Sequence, residues 1–146
     1  MKAPVNNREK FYGTYSNASA WVVPGNLTVS AISVSGEALT MVDYATGDVV
    51  PANTGVLVAA SEGGNFTVNL SSGAGTTKPG NALRPTGDGI TASEMATADP
   101  GKEYFRLTMH NGIQCGFWWG AEDGAAFTLA ANKAYLTLDG AKAKAF

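Results

Sequence analysis

One histidine, His110, and one cysteine, Cys115, occur in the 146-residue chain. Nucleophilic catalysis through Ser or Cys ordinarily needs a base that accepts a proton near neutral pH, and that base is usually histidine. His110 stands beside Asn111-Gly112, a pair suited to the positive φ angles of a tight type I′ hairpin turn, so it reads as a turn-flanking polar residue. Cys115, between Gln114 and Gly116, has no neighbouring base to lower its pKa and reads as a buried structural thiol. Glycosidic cleavage uses two carboxylates. Asp43, Asp48, Glu94, Glu103, Glu122 and Asp123 are eligible, but nothing in their spacing pairs them. One His and one Cys fall short of a zinc ligand set. Asp88 between Gly87 and Gly89, and Glu122-Asp123-Gly124, are the stretches that calcium could use, and both read first as solvated turns. Gly73-Ala74-Gly75 lacks the Lys-Ser or Lys-Thr of a phosphate loop. The sequence therefore predicts no catalytic residue, no metal and no cofactor.

The aromatic residues carry the strongest binding chemistry, because sugars present apolar C–H faces that stack on flat rings while their hydroxyls meet polar groups. The pool is Trp21, Trp118, Trp119, Tyr12, Tyr15 and Tyr104. In a strand, neighbouring side chains point to opposite faces, so Trp118 and Trp119 diverge and one of them is expected to point outward. Trp21, Trp118 and Trp119 are thus the candidate ligand-binding residues. The plainer alternative is that the outward ring is covered by another segment or a neighbouring domain.

The elements that hold these residues read as strands. Hydrophobic residues make up 45% of the chain and charged ones only 15%, against roughly 25% in ordinary globular domains. A surface so poor in charge relies on Ser, Thr, Asn and Gly. A net charge of −2 with scattered Lys and Arg offers no field for nucleic acid. No apolar run reaches the ~18 residues of a membrane span, and residues 1–8 lack the apolar stretch of a signal peptide. If the parent protein is exported, this chain is a piece excised from it.

Eighteen glycines and six prolines punctuate short apolar runs, with no sustained helical period. Strands are expected at 11–15, 20–23, 27–34, 38–44, 55–60, 65–70, 104–109, 113–119, 126–129, 133–138 and 141–146. The alternation of Leu27, Val29 and Ala31 changes phase at Ile32 and Val34, which predicts a bulge near Ala31 or Ile32. Residues 71–101 are expected to form a long surface excursion with one helical turn near Ser93-Glu94-Met95. Pro51-Ala52-Asn53-Thr54 and Ala130-Ala131-Asn132-Lys133 read as matching corners before strands, each with an Asn that tolerates the left-handed backbone. The expected core comprises Val29, Ile32, Leu39, Val42, Val56, Leu57, Phe66, Leu107, Phe117, Leu129, Tyr135 and Leu136.

Three stretches resemble a β-rich module of large surface and secreted proteins of Bacteroidetes, of the Bacteroides and Prevotella kind. They are 48–58 (DVVPANTGVLV), 104–107 continuing to 116–119 (YFRL, GFWW) and 127–138 (FTLAANKAYLTL), the last being the most specific. The resemblance spans about Phe11 to Leu138. It implies an extracellular or cell-surface location and no chemistry, and it transfers no functional residue.

The combined expectation is a single all-β domain over 1–146, an antiparallel β-sandwich of jelly-roll-like form, with a closed β-barrel as the alternative. Its expected role is a non-catalytic accessory or adhesion module. The alternative is a carbohydrate-binding module that uses its Trp residues. Expected partners are neighbouring domains of the parent chain, a glycan or host protein, and further copies of the chain through exposed strand edges; nucleic acid and membrane insertion are not expected.

Overall fold

The computed structural model describes residues 11–35, 38–110 and 114–139. Among these residues eleven strands form three antiparallel sheets. The first sheet, in the order β1-β6-β3-β4, joins Phe11–Tyr15 (β1), Val56–Ala60 (β6), Thr28–Ser35 (β3) and Ala38–Tyr44 (β4). The second, β10-β9-β11-β8, joins Gln114–Trp119 (β10), Lys102–His110 (β9), Ala134–Asp139 (β11) and Leu83–Pro85 (β8). A small third sheet, β5-β2-β7, joins Val49–Val50 (β5), Trp21–Val22 (β2) and Asn69–Leu70 (β7). The result is an all-β sandwich. No sheet closes into a barrel among the described residues, so the barrel alternative does not hold.

Two of the hydrophobic clusters lie on opposite faces of the first sheet, and side-chain alternation assigns residues to each. Ile32 and Leu57 point one way, into a core with Leu83, Phe105, Phe117, Ala134, Leu136 and Leu138 of the second sheet. Val29, Ala31, Tyr44 and Val56 point the other way, onto Trp21, Val23 and Val50. A third cluster, Met95, Tyr104, Phe127, Leu129 and Tyr135, covers the outer face of the second sheet.

This two-faced burial corrects the expected bulge. β3 pairs residue for residue with β4 from Val29↔Tyr44 to Ser35↔Ala38, with no extra residue on either strand. The apolar pattern changes phase because both faces of β3 are covered. Buried strands of this kind read as continuous apolar runs rather than alternating ones.

The 71–101 segment, expected as a surface excursion, is exposed over 72–77 but then enters the body of the fold. Asn81 accepts from the main-chain N–H groups of Ile32 (3.1 Å) and Leu83 (3.2 Å) through Oδ1, and donates through Nδ2 to the Gly55 carbonyl (2.9 Å). Leu83 then carries β8 into the sheet against β11. The expected helical turn is α1, Ala92–Ala98, opened by a capping box in which Thr91 and Glu94 satisfy each other's main-chain N–H groups. Met95 anchors it, fully buried.

Other expectations are adjusted in extent. The 65–70 strand shortens to β7, and 126–129 is loop apart from one bridge between Ile90 and Leu129. Phe66, expected in the core, is exposed. Asn53 and Asn132 both adopt positive φ, 54° and 58°, as their corner positions require. The Asn111-Gly112 turn, the side chain of His110 and the strand expected at 141–146 lie outside the described residues.

Candidate functional site

Among the described residues β1 lies at the edge of its sheet, and its two faces open onto different surroundings. On the face bearing Phe11, Gly13 and Tyr15, the loop 61–68 arches past the strand, while the corner 131–133 comes up beside its end. Between them lies a cleft of about 370 Å³, within the usual size range of small-molecule sites. Its apolar wall is Tyr15, Leu27, Val58, Phe66 and Val68, with Trp21 beneath; its polar groups come from Thr14, Asn65, Asn132 and Lys133. A shallower depression continues along β1 over Leu27, Val58, Gly64 and Phe66 to Phe11. Phe66 and Phe11 are among the few exposed large apolar side chains, at 37% and 54% of full exposure.

The wall is rigid where it is aromatic. Tyr15 meets Trp21 edge-on, with ring centroids 5.1 Å apart and planes at 85°, a favoured aromatic geometry. The Tyr15 hydroxyl accepts from Asn17 Nδ2 at 2.8 Å. The indole N–H of Trp21 is buried with no hydrogen-bond acceptor among the described residues. An unmet buried donor costs on the order of 1–3 kcal/mol.

A clasp fixes the opposite rim. Ser16, itself buried, donates through Oγ to the Lys133 carbonyl at 2.6 Å, while Asn132 Nδ2 donates to the Ser16 carbonyl at 3.0 Å. Thr86 joins in, its Oγ1 accepting from the Lys133 N–H at 3.0 Å. The Thr14 hydroxyl accepts from the Ala134 N–H at 3.1 Å. The Thr86 N–H and hydroxyl also donate to the Lys133 carbonyl, at 3.1 and 3.2 Å, so Lys133 is held at its main chain by four hydrogen bonds while the residue lines the cleft.

No protein-family model, curated protein or solved structure matches this chain. The site is therefore read from its own geometry.

That geometry separates the three tryptophans. Trp21 is fully buried and cannot serve as an open platform, because strands β5 and β7 flank it and the first sheet covers its ring. Trp119 packs against the core between the two large sheets and donates from Nε1 to Glu103 Oε2 at 3.3 Å. Trp118 is half-buried, opposite Arg106 in the β9–β10 register. Among the described residues the three rings are dispersed, Trp21 against the third sheet, Trp119 in the core between the large sheets and Trp118 opposite Arg106.

The other candidates are dispersed as well. Cys115 is buried, and burial pushes its thiol above its ordinary value. Asp43 accepts from the Ser30 hydroxyl at 2.5 Å, and Asp48 accepts from the Ala45 N–H at 2.9 Å within its own turn. Glu94 belongs to the helix cap, where the Thr91 N–H holds its carboxyl below the usual value. Glu122 and Asp123 form a 3-10 turn, and Asp88 is exposed on a loop.

Sequence reasoning placed Tyr15 in the aromatic pool but missed Phe66, Asn65 and Lys133. The usable signal was Gly63-Gly64 immediately before Asn65-Phe66. A glycine pair breaks a strand and lets the following ring swing over a neighbouring surface.

Proposed function

We propose that this chain is a non-catalytic binding module of a bacterial surface or secreted protein, and that it holds a saccharide in the cleft beside β1. The observation carrying the reading is the composition of that cleft. Flat apolar rings, Tyr15 and Phe66, face a rim of amide, hydroxyl and ammonium groups from Asn65, Asn132, Thr14 and Lys133. A pyranose has the same division, an apolar C–H face and a hydroxyl perimeter, and sites of this kind combine an apolar lining with a few placed polar groups. The ring expected to do this work was a tryptophan of β10. The geometry favours Phe66 with Tyr15 instead. Adhesion by the parent protein would follow from glycan binding on a host or a neighbouring cell.

The test is a glycan array probed with the wild-type chain and with Phe66→Ala and Trp118→Ala variants, each first verified as folded by Trp fluorescence. Binding should be lost in Phe66→Ala and retained in Trp118→Ala. Binding that survives Phe66→Ala, or that depends on Trp118, would overturn the assignment of the cleft. An array without any bound glycan would overturn the saccharide reading itself.

A further inference from the structure

The β1 edge has a second cleft on its other face, and the two meet at shared residues. This cleft, about 160 Å³, is lined by Tyr12, Thr14, Arg106, Leu107, Leu129 and Lys133, together with Gly13 and Ala134. Thr14 and Lys133 also line the aromatic cleft, so the two form neighbouring compartments around one strand edge. Among the described residues, the ionisable charges lining them are Lys133 and Arg106, both cations, and no described carboxylate contributes to either wall. Over the chain as a whole acids outnumber bases, 12 to 10, so the local balance runs against the global one.

The remaining described cations are engaged elsewhere. Arg84 pairs with Asp99 at 3.2 Å, Lys102 with Asp139 at 2.7 Å, and Lys78 sits over the Tyr44 ring. Arg106 lies 6.0 Å from the Phe127 ring centroid, at the outer limit of a cation–π contact, and neither it nor Lys133 forms an ion pair with a described residue. Lys133 is also positioned in advance, since the clasp to Ser16 and Thr86 fixes its main chain.

We infer that the saccharide is anionic, its carboxylate or sulfate bound between Lys133 and Arg106 while an adjoining sugar ring stacks in the aromatic cleft. The inference rests on the saccharide reading and adds the ligand's charge. Arg106 offers the planar fork that matches a carboxylate or sulfate, and Lys133 a mobile point charge. Both groups border solvent, so the attraction is moderate and screened by salt.

The experiment is calorimetric titration of the whole chain with sialyllactose, oligogalacturonate and sulfated lactose, set against unmodified lactose and neutral xylo-oligosaccharide, at low and high salt. At least one acidic sugar should bind about tenfold more tightly than its neutral counterpart, and the preference should shrink as salt rises. Lys133→Gln and Arg106→Gln should each remove most of that preference, Lys133→Arg should keep it, and neutral binding should be unchanged in Arg106→Gln, which lies outside the aromatic cleft. Sialic or uronic acid bound without sulfated lactose identifies a carboxylate site, and the reverse a sulfate site. Equal binding of acidic and neutral sugars, lost together in Phe66→Ala, overturns the anionic inference and leaves the saccharide reading standing. Acidic binding untouched by both Gln variants also overturns it, and failure of every sugar overturns both readings. Lys133→Gln preserves all the main-chain bonds of the clasp, and Arg106→Gln lies at an exposed position, so one test survives if the other variant does not fold.

Discussion

Replacing Asn81 by Ala should be among the most damaging polar substitutions in this chain. The Asn81 amide ties together β3, the start of β6 and the start of β8 through three hydrogen bonds of 2.9–3.2 Å. Two of its partners belong to fully or almost fully buried residues, Ile32 and Leu83, and Gly55 is buried as well. An ordinary hydrogen bond contributes about 1 kcal/mol net, and a buried group stranded without a partner costs about 1–3 kcal/mol. Asn81 is itself partly exposed, so water can reach some of the vacated positions. Three bonds at the ordinary value, with one group left unmet, give about 4 kcal/mol, a large share of the 5–15 kcal/mol typical of a domain. The melting temperature should fall by roughly 10 °C or more. Urea denaturation followed by tryptophan fluorescence, to which buried Trp21 contributes, measures the loss, with Asn26→Ala, at an exposed position, as the control. A loss below about 1 kcal/mol with an unchanged denaturant slope would refute the view that this side chain joins the two large sheets.

Three further outcomes are expected. Burial, reinforced by the Asp99 carboxylate, raises the Tyr135 phenol above its unfolded value of about 10. Its contribution is therefore complete below that pH and is lost as pH rises beyond it; urea curves near neutrality and at about pH 11 should diverge in the wild type and less so in Tyr135→Phe. The Cys115 thiol, raised by burial, should react with a disulfide reagent at neutral pH no faster than the domain opens, and at once in denaturant. Gly55→Ala should cost about 2 kcal/mol by thermal melting, because the added Cβ would meet Ala134 Cβ at 2.9 Å and the Leu83 carbonyl carbon at 3.0 Å.

The fold class and most of the strands were legible because strand periodicity and turn chemistry are local signals. The β3–β4 hairpin, the capping box at Thr91 and the left-handed corners at Asn53 and Asn132 all rest on residues within a few positions of one another. What could not be read was set by distant partners. The phase change in β3 looks like a bulge until it is known that sheets lie against both of its faces. Asn81 looks like a loop residue until Ile32, 49 positions away, appears beside it. Trp21, Trp118 and Trp119 were equally good platforms by type. Their differing burial depends on the third sheet and on core packing, which no local pattern encodes. Phe66 was misplaced for the converse reason, since an apolar residue in a β-rich stretch reads as core unless the glycine pair before it is given full weight.

The clasp between Ser16 and Lys133 joins residues 117 positions apart, and one of its ends lies immediately before the final described strand. Contacts of such long range are slow to form, because much of the intervening chain must be ordered before they are rewarded. As the chain emerges from the ribosome, β1 can pair with β6 early, yet the rim carrying Asn132 and Lys133 is still unsynthesised. The cleft beside β1 is accordingly completed late, with the docking of β11, and until then the nascent chain carries its aromatic wall with Thr14 and Asn65 but without Asn132 and Lys133. A partly made or partly unfolded copy therefore exposes the rings of that wall more fully, and it is the docking of β11 that closes the cleft around them.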